Sequence, residues 1–138
     1  MPDKQFWENN YFTGQTGWDM GVTSPPLKDY IDQLTDKELH ILIPGAGNSY
    51  EASYLLQKGF EHITVLDIAP TAVKRLREKS KDSSGRLRVI EGDFFNHNGK
   101  YDLILEQTFF CALEPERREE YARHVHNLLK PGGKLAGV

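Results

Sequence analysis

The stretch His40-Ile-Leu-Ile-Pro-Gly45-Ala-Gly47-Asn-Ser-Tyr-Glu51 decides the fold that this sequence predicts. Its first half is a strand-like apolar run that stops at a glycine turn, after which a helical pattern begins. About 20 residues later a second apolar run, residues 63–66, ends in the carboxylate of Asp67. In open α/β sheets this arrangement binds nucleotide-type ligands, because glycines let the backbone approach the ligand and the acid accepts hydrogen bonds from ribose hydroxyls.

Apolar runs of strand length alternate with helix-period segments along the rest of the chain. This alternation indicates right-handed βαβ crossovers, and therefore a Rossmann-like, doubly wound α/β fold with a mostly parallel sheet of about five strands. Pro131-Gly132-Gly133 is typical of a stop before the last strand. The predicted strands are residues 39–43, 63–66, 87–90, 103–105 and 134–138, and the predicted helices are residues 50–58, 70–79 and 115–129.

Composition narrows the class of protein. The 138 residues, 38% hydrophobic and 27% charged, are enough for one globular domain with a core of its own. A net charge of −3 gives no general attraction to nucleic acid or to an anionic membrane. No apolar run approaches the roughly 20 residues of a membrane span, and no signal peptide is recognisable, so we expect a cytoplasmic protein.

The glycine turn disfavours a dinucleotide. The dinucleotide fingerprint has a third glycine three positions after the second, where this sequence has Tyr50. Glu51 adds a carboxylate to the first helical turn, where pyrophosphate would otherwise bind. No Gly-Lys-Ser/Thr follows, which excludes a Walker loop. An adenosine-bearing ligand without phosphate remains, and S-adenosylmethionine fits; a nicotinamide-dependent oxidoreductase is the distant alternative.

Acidic residues follow the second and third predicted strands. Asp67 is predicted to bind the ribose, although an aspartate in this position is often only a helix cap. Asp93 is predicted to accept from the adenine amino group while Phe94 flanks the ring; the alternative is an acid that stabilises a turn, followed by a core phenylalanine. The pair Glu106-Gln107 ends the fourth run and would face the same cleft, or cap a helix.

Residues 6–30 are aromatic and punctuated by glycine and proline, unlike the rest of the chain. We predict that residues 1–35 form an aromatic lid segment and that residues 36–138 form the S-adenosylmethionine-binding α/β core, the two together making one domain. Trp7, Tyr11 and Trp18 are candidates for the pocket wall, because an aromatic face stabilises a sulfonium cation. Packing in the core is the alternative for these side chains.

The sequence resembles the thiopurine S-methyltransferase family of class I S-adenosylmethionine-dependent methyltransferases, especially its bacterial and plant thiol/halide branch. The glycine turn and Gly92-Asp93-Phe94-Phe95 are common to many class I enzymes, whereas two further motifs are narrower signals. The matching motifs are Phe6-Trp7-Glu8, Gly14-Gln15-Thr16-Gly17-Trp18-Asp19, Ser24-Pro25-Pro26-Leu27, Ile43-Pro44-Gly45-Ala46-Gly47-Asn48, Gly92-Asp93-Phe94-Phe95, Tyr101-Asp102-Leu103-Ile104-Leu105-Glu106-Gln107-Thr108-Phe109-Phe110-Cys111-Ala112-Leu113 and Leu128-Leu129-Lys130-Pro131-Gly132-Gly133-Lys134. The narrower ones are the Gly-x-x-Gly-Trp-Asp segment and the Phe-Phe-Cys-Ala-Leu run.

The resemblance implies a set of cofactor contacts. By the resemblance, Trp7, Tyr11 and Trp18 lie over the cofactor, Gly45 lines its methionine end next to Gly47, Asp67 binds ribose, Asp93 and Phe94 hold adenine, and Gln107 borders the cleft. Tyr11 stands where the plant enzymes have a tryptophan, so this position keeps an aromatic side chain.

The family continues past the fifth strand, whereas this sequence stops there. The sequence therefore corresponds to the class I core without its last two strands, and we expect it to be cut short. The outer edge of the fifth strand is then uncovered, which predicts a homodimer through that edge.

Methyl transfer to a small soft nucleophile, such as a thiol, a halide or a selenium or tellurium species, needs positioning more than acid–base help. We therefore nominate no catalytic acid, base or nucleophile, and we expect Cys111 to be a buried small side chain. The histidines show no metal-ligand spacing, so no metal site is predicted. A cofactor-binding domain without full activity is the alternative to a complete methyltransferase.

Overall fold

The computed structural model describes residues 25–45, 50–106 and 115–137. Within them, five strands form one sheet in which every pair of neighbours runs parallel. The strands are β1 (His40–Pro44), β2 (His62–Asp67), β3 (Leu87–Glu91), β4 (Tyr101–Glu106) and β5 (Leu129–Gly137). Their order across the sheet is β3-β2-β1-β4-β5, which confirms the predicted doubly wound parallel fold.

The described residues include the helices α1 (Pro25–Asp32), α2 (Tyr50–Gln57), α3 (Pro70–Ser80) and α4 (Arg118–Leu128). As predicted, α2, α3 and α4 connect β1 to β2, β2 to β3 and β4 to β5, whereas α1 precedes β1. The predicted helix 115–129 is wrong at both ends, because Pro115–Arg117 is a 3-10 turn and Leu129 is already extended. A second 3-10 turn, Phe94–Asn96, lies between β3 and β4.

Helix α1 was not predicted from the sequence, since it falls in the segment assigned to the lid. Its buried side chains Leu27 and Ile31 belong to the main hydrophobic core. Leu27 and Ile31 are one i, i+4 pair, and a single pair gives too little periodicity to indicate a helix. The division at residue 35 stays a prediction.

Both faces of the sheet are covered, which explains the continuous apolar runs. On one face Ile41 and Ile43 of β1 pack with residues of α1, α2 and α3. On the other face Leu42 packs with Ile104 and with Val125 of α4. Since successive side chains of a strand point to opposite faces, each strand between two helix layers must be apolar at nearly every position.

Strand β5 starts earlier than predicted. Leu129 already pairs with Tyr101, but the next aligned pair is Lys134 opposite Leu103, so the residues between them bulge out of the ladder. Gly133 fits this bulge because a Cβ there would lie 2.9 Å from the carbonyl oxygen of Lys130. The predicted stop at Pro131-Gly132-Gly133 is therefore an interruption within the strand.

Two properties of the described residues concern membranes and metals. No helix in these ranges is long and apolar enough to cross a bilayer. No group of three or more His, Cys, Asp or Glu side chains in the same ranges is arranged to hold a metal ion.

Candidate functional site

The strand order places a topological switch point between β1 and β4. The chain leaves β1 towards β2 and β3 on one side, then crosses back to β4 on the other side. Ligands of open α/β sheets bind in the crevice at such a point, outside the carboxyl ends of the strands. The residues to consider are therefore those that end or directly follow β1, β2, β3 and β4.

Gly45 directly follows β1 at this edge. It is exposed and has a backbone φ of +60°, in the left-handed region that favours glycine. Its amide donates a 2.8 Å hydrogen bond to the carbonyl of Leu66, the residue before Asp67. The start of the glycine turn is thus fixed against the tip of β2.

Asp67 ends β2 and is only 6% exposed. Its Oδ1 accepts a 2.9 Å hydrogen bond from the amide of Ala69, the residue before α3. Its backbone carbonyl accepts a 3.0 Å hydrogen bond from Gly92, which ties the segment after β3 to the same place. The helix-capping turn that the sequence offered as the alternative to ligand binding is present, and the ribose contact stays a prediction.

Asp93 and Phe94 occupy the segment that Gly92 begins. Asp93 Oδ1 accepts a 2.9 Å hydrogen bond from the amide of Phe95 at the start of the 3-10 turn. Phe94 is 2% exposed and lies with its ring centre 5.5 Å from that of Tyr121 and 4.9 Å from that of His124. These are the contacts of a turn-stabilising acid and a core phenylalanine, so the adenine contacts stay predictions.

Three buried carboxylates lie at this end of the sheet: Glu51 in the first turn of α2, Asp67 at the end of β2 and Glu106 at the end of β4. Burial raises the pKa of the Tyr121 phenol, and the negative charge of Glu106 raises it further. A carboxylate that is ionised at this end of the sheet favours a cationic ligand over pyrophosphate. The sequence had already indicated the same effect for Glu51.

Two residues of this region were not identified from the sequence. Phe95 is half-buried, and the guanidinium carbon of Arg117 lies 4.0 Å from the centre of its ring. The doubled phenylalanine was the only signal for Phe95. Nothing in the local pattern pairs it with Arg117, which precedes α4.

The remaining predicted site residues lie outside the described ranges, so only part of the predicted set can be placed. The structure brings Gly45 and Asp67 together through Leu66, and Asp67 and Asp93 together through Gly92. The residues outside the described ranges are Trp7, Tyr11, Trp18, Gly47 and Gln107, and Cys111 lies outside them as well.

Comparison with known proteins agrees with this architecture. A solved structure of the 1,6-didemethyltoxoflavin-N1-methyltransferase of Burkholderia thailandensis, with bound 1,6-didemethyltoxoflavin and S-adenosylhomocysteine, superposes with a TM-score of 0.81. It covers 96% of this chain and 58% of that protein at 19% sequence identity, so the likeness shows the fold alone.

Sequence comparison gives the family. A probable thiol methyltransferase 2 of Arabidopsis thaliana is 34% identical, and a thiocyanate methyltransferase 1 of Brassica oleracea is 30% identical. Each alignment covers 94% of this chain and 58% of the relative, so the chain spans less than two thirds of the length of these proteins. The profile of the family described as thiopurine S-methyltransferase matches residues 2–137. The chain belongs to the thiopurine S-methyltransferase family.

Proposed function

We propose that this chain binds S-adenosylmethionine across the carboxyl ends of β1, β2 and β3 and serves methyl transfer to a small soft nucleophile. The observation that carries the proposal is the position of Asp67. Its buried carboxylate ends β2, beside the glycine turn that follows β1 and close to the β1/β4 switch point. A carboxylate in this position suits a ribose with both hydroxyls unmodified.

The charge of the site supports a sulfonium-bearing ligand over a dinucleotide. S-adenosylmethionine carries a cationic sulfonium and an ammonium group, whereas a dinucleotide carries a pyrophosphate. Glu51, Asp67 and Glu106 are all buried near this edge, where a low dielectric strengthens their effect on a nearby charge. In their ionised form these carboxylates attract the first ligand and repel the second.

The remaining contacts follow the family resemblance. In this proposal Gly45 and Gly47 line the methionine end, Asp67 binds the ribose, and Asp93 and Phe94 hold the adenine. The lid residues Trp7, Tyr11 and Trp18 cover the cofactor, and Gln107 borders the cleft. The cytoplasmic location expected from the sequence is part of the same proposal.

The acceptor class in this proposal is a thiol, a halide or a related soft anion. The relatives named for thiol and thiocyanate methyl transfer support this class. S-adenosylmethionine supplies an activated methyl group, and a polarisable anion attacks it without help from a general base. The protein then contributes alignment of the acceptor with the sulfur–methyl bond and exclusion of water.

Calorimetric titration with S-adenosylmethionine, S-adenosylhomocysteine and NAD tests the cofactor half of the proposal. We expect both sulfur compounds to bind and NAD to give no heat of binding. Preferential binding of NAD would overturn the assignment.

Headspace gas chromatography tests the acceptor half. Samples containing the protein and S-adenosylmethionine receive iodide, thiocyanate or a small thiol, and the volatile methylated product is measured. A sample without the protein is the blank, and Asp67→Ala should form less product when S-adenosylmethionine is limiting. If the cofactor binds but none of these acceptors is methylated, the chain is a cofactor-binding domain and the enzymatic half of the proposal is wrong.

A further inference from the structure

Arg117 forms a contact that links α4 to the segment after β3. Its guanidinium carbon lies 4.0 Å from the centre of the Phe95 ring, at stacking distance. Phe95 belongs to loop 92–96, the segment that carries the proposed adenine contacts. Arg117 belongs to the turn that leads into α4.

Arg117 is itself held in place from a second direction. Its Nε donates to Glu120 Oε2 at 3.2 Å, and its Nη2 donates to Glu120 Oε1 at 3.1 Å. These hydrogen bonds hold the pKa of the Glu120 carboxyl below its ordinary value. A planar guanidinium can use its edge for this fork and its face for Phe95 at the same time, which an ammonium group cannot do.

Loop 92–96 is also held by hydrogen bonds near its start and by ring contacts of Phe94 with Tyr121 and His124 of α4. The Gly92 amide donates to the Asp67 carbonyl at 3.0 Å, and the Phe95 amide donates to Asp93 Oδ1 at 2.9 Å. The contact with Arg117 adds to these on the Phe95 ring, whose centre also lies 6.1 Å from that of His124. It therefore connects the turn at the start of α4 to the second phenylalanine of the loop.

We propose that Arg117 is a positioning residue, which holds Phe95 and with it loop 92–96 in the conformation that binds the adenosine half of the cofactor. This inference rests on the proposed function. It assigns to Arg117 an effect on cofactor affinity and none on the attack of the acceptor. Loss of the guanidinium should therefore raise the KM for S-adenosylmethionine while kcat changes little.

The test compares Arg117→Ala and Arg117→Lys with Arg123→Ala as the matched control. Arg123 lies on α4 itself, its side chain is 72% exposed, and its partner Glu119 is 3.9 Å away. Circular dichroism and thermal unfolding first establish that each variant is folded. Two readouts follow, one without ligand and one with S-adenosylhomocysteine.

The readout without ligand is hydrogen exchange of the backbone amides of Asn96 and His97. These amides donate to the carbonyls of Asp93 and Phe94 at 3.0 and 3.1 Å, so they report whether the loop turn is closed. We expect faster exchange in Arg117→Ala, nearly as fast in Arg117→Lys, and the wild-type rate in Arg123→Ala. An unchanged rate in Arg117→Ala overturns the inference.

The readout with ligand is the Kd of S-adenosylhomocysteine. The expected weakening in Arg117→Ala is about three- to tenfold, the size of a typical cation–π contact, with no change in Arg123→Ala. Phe95→Leu should weaken binding to a similar degree, and the double variant should be no weaker than either single one. Faster exchange with unchanged affinity overturns the positioning role. If the wild-type protein fails to bind S-adenosylhomocysteine, the proposed function is wrong and this inference falls with it.

Discussion

The Ala69 amide donates a 2.9 Å hydrogen bond to Oδ1 of the buried Asp67. Ala69 has no side chain that can cap α3, and the next residue is Pro70, which has no amide proton. The carboxylate of Asp67 thus closes the turn that leads into the helix. In the proposed function it also binds the ribose, so one side chain serves both the fold and the ligand.

Replacing Asp67 by Asn separates these two tasks. The amide oxygen of Asn can still accept from Ala69, so we expect the free energy of unfolding to change little. The charge that favours the ribose hydroxyls is lost, and S-adenosylhomocysteine should bind more weakly by about 1.5–3 kcal/mol, the value of hydrogen bonds to a charged group. Calorimetric titration and chemical denaturation of the same sample measure the two quantities.

Asp67→Ala is the companion variant. It removes the turn hydrogen bond as well, which should lower the free energy of unfolding by about 1 kcal/mol and weaken the ligand as in Asp67→Asn. Wild-type affinity in both variants, with the stability loss present only in Asp67→Ala, would show that Asp67 only closes the turn.

Gly45→Val tests the glycine turn. A β-branched residue at φ +60° is strained by about 1–3 kcal/mol, so the backbone should move and carry the turn away from the tip of β2. We expect binding of S-adenosylhomocysteine to be lost while the helical circular dichroism signal remains. Isothermal titration measures the first and far-ultraviolet spectroscopy the second.

Gly85→Val is the matched control for Gly45→Val. Gly85 has a φ of +81°, and a Cβ added there would meet no atom within 4 Å, so the strain comes from the backbone alone. It precedes β3 and therefore lies at the amino ends of the parallel strands, opposite the proposed site. Equal loss of binding in both variants would mean that general destabilisation, and not the site, explains the effect.

The lowered pKa of His97 predicts that the free energy of unfolding depends on pH. Its Nε2 lies 2.8 Å from the Tyr101 hydroxyl. Burial lowers the pKa of His97 below its ordinary value of about 6.5, and the positive charges of Arg88 and His124 lower it further. As the pH falls below about 6.5, the unfolded chain binds a proton that the folded chain does not, so the free energy of unfolding decreases until the lowered pKa is reached.

Denaturation curves at pH 7.5 and at pH 5.5 measure this effect. In His97→Gln the difference between the two pH values should shrink, because the titrating group is gone. His126→Gln, an exposed position on α4, should keep the wild-type difference. An undiminished difference in His97→Gln would assign the pH dependence to other groups.

The sequence predicted the sheet well and the site in part, for physical reasons. Strands covered on both faces are apolar at nearly every position, so β1 and β2 are visible as continuous runs ending in Gly45 and Asp67. For Asp93 and Phe94 the sequence could not decide between ligand contacts and turn or core contacts, because either setting selects the same residue types. The stacking of Arg117 on Phe95 joins two segments that are distant in sequence. Such a tertiary contact produces no periodic sequence pattern, so it could not be predicted.

The outer edge of β5 predicts self-association. Within the described residues β5 pairs with β4 alone, and Leu135 is 42% exposed, whereas the other large hydrophobic residues with described side chains are buried or partly buried. A strand with unpaired backbone groups and an exposed leucine favours pairing with a second copy, most simply across a twofold axis. Sedimentation of the 138-residue chain should show a species heavier than 15.8 kDa.

Leu135→Lys should shift this equilibrium to the monomer, since it places a charge at the edge and removes the apolar contact. Asp82→Asn is the control, because it makes a charge change of the same sign at an exposed position before β3. It should sediment like the wild type at equal concentration. A wild-type chain that is monomeric throughout the micromolar range, or a Leu135→Lys variant that still associates, would exclude the β5 edge as the contact between copies.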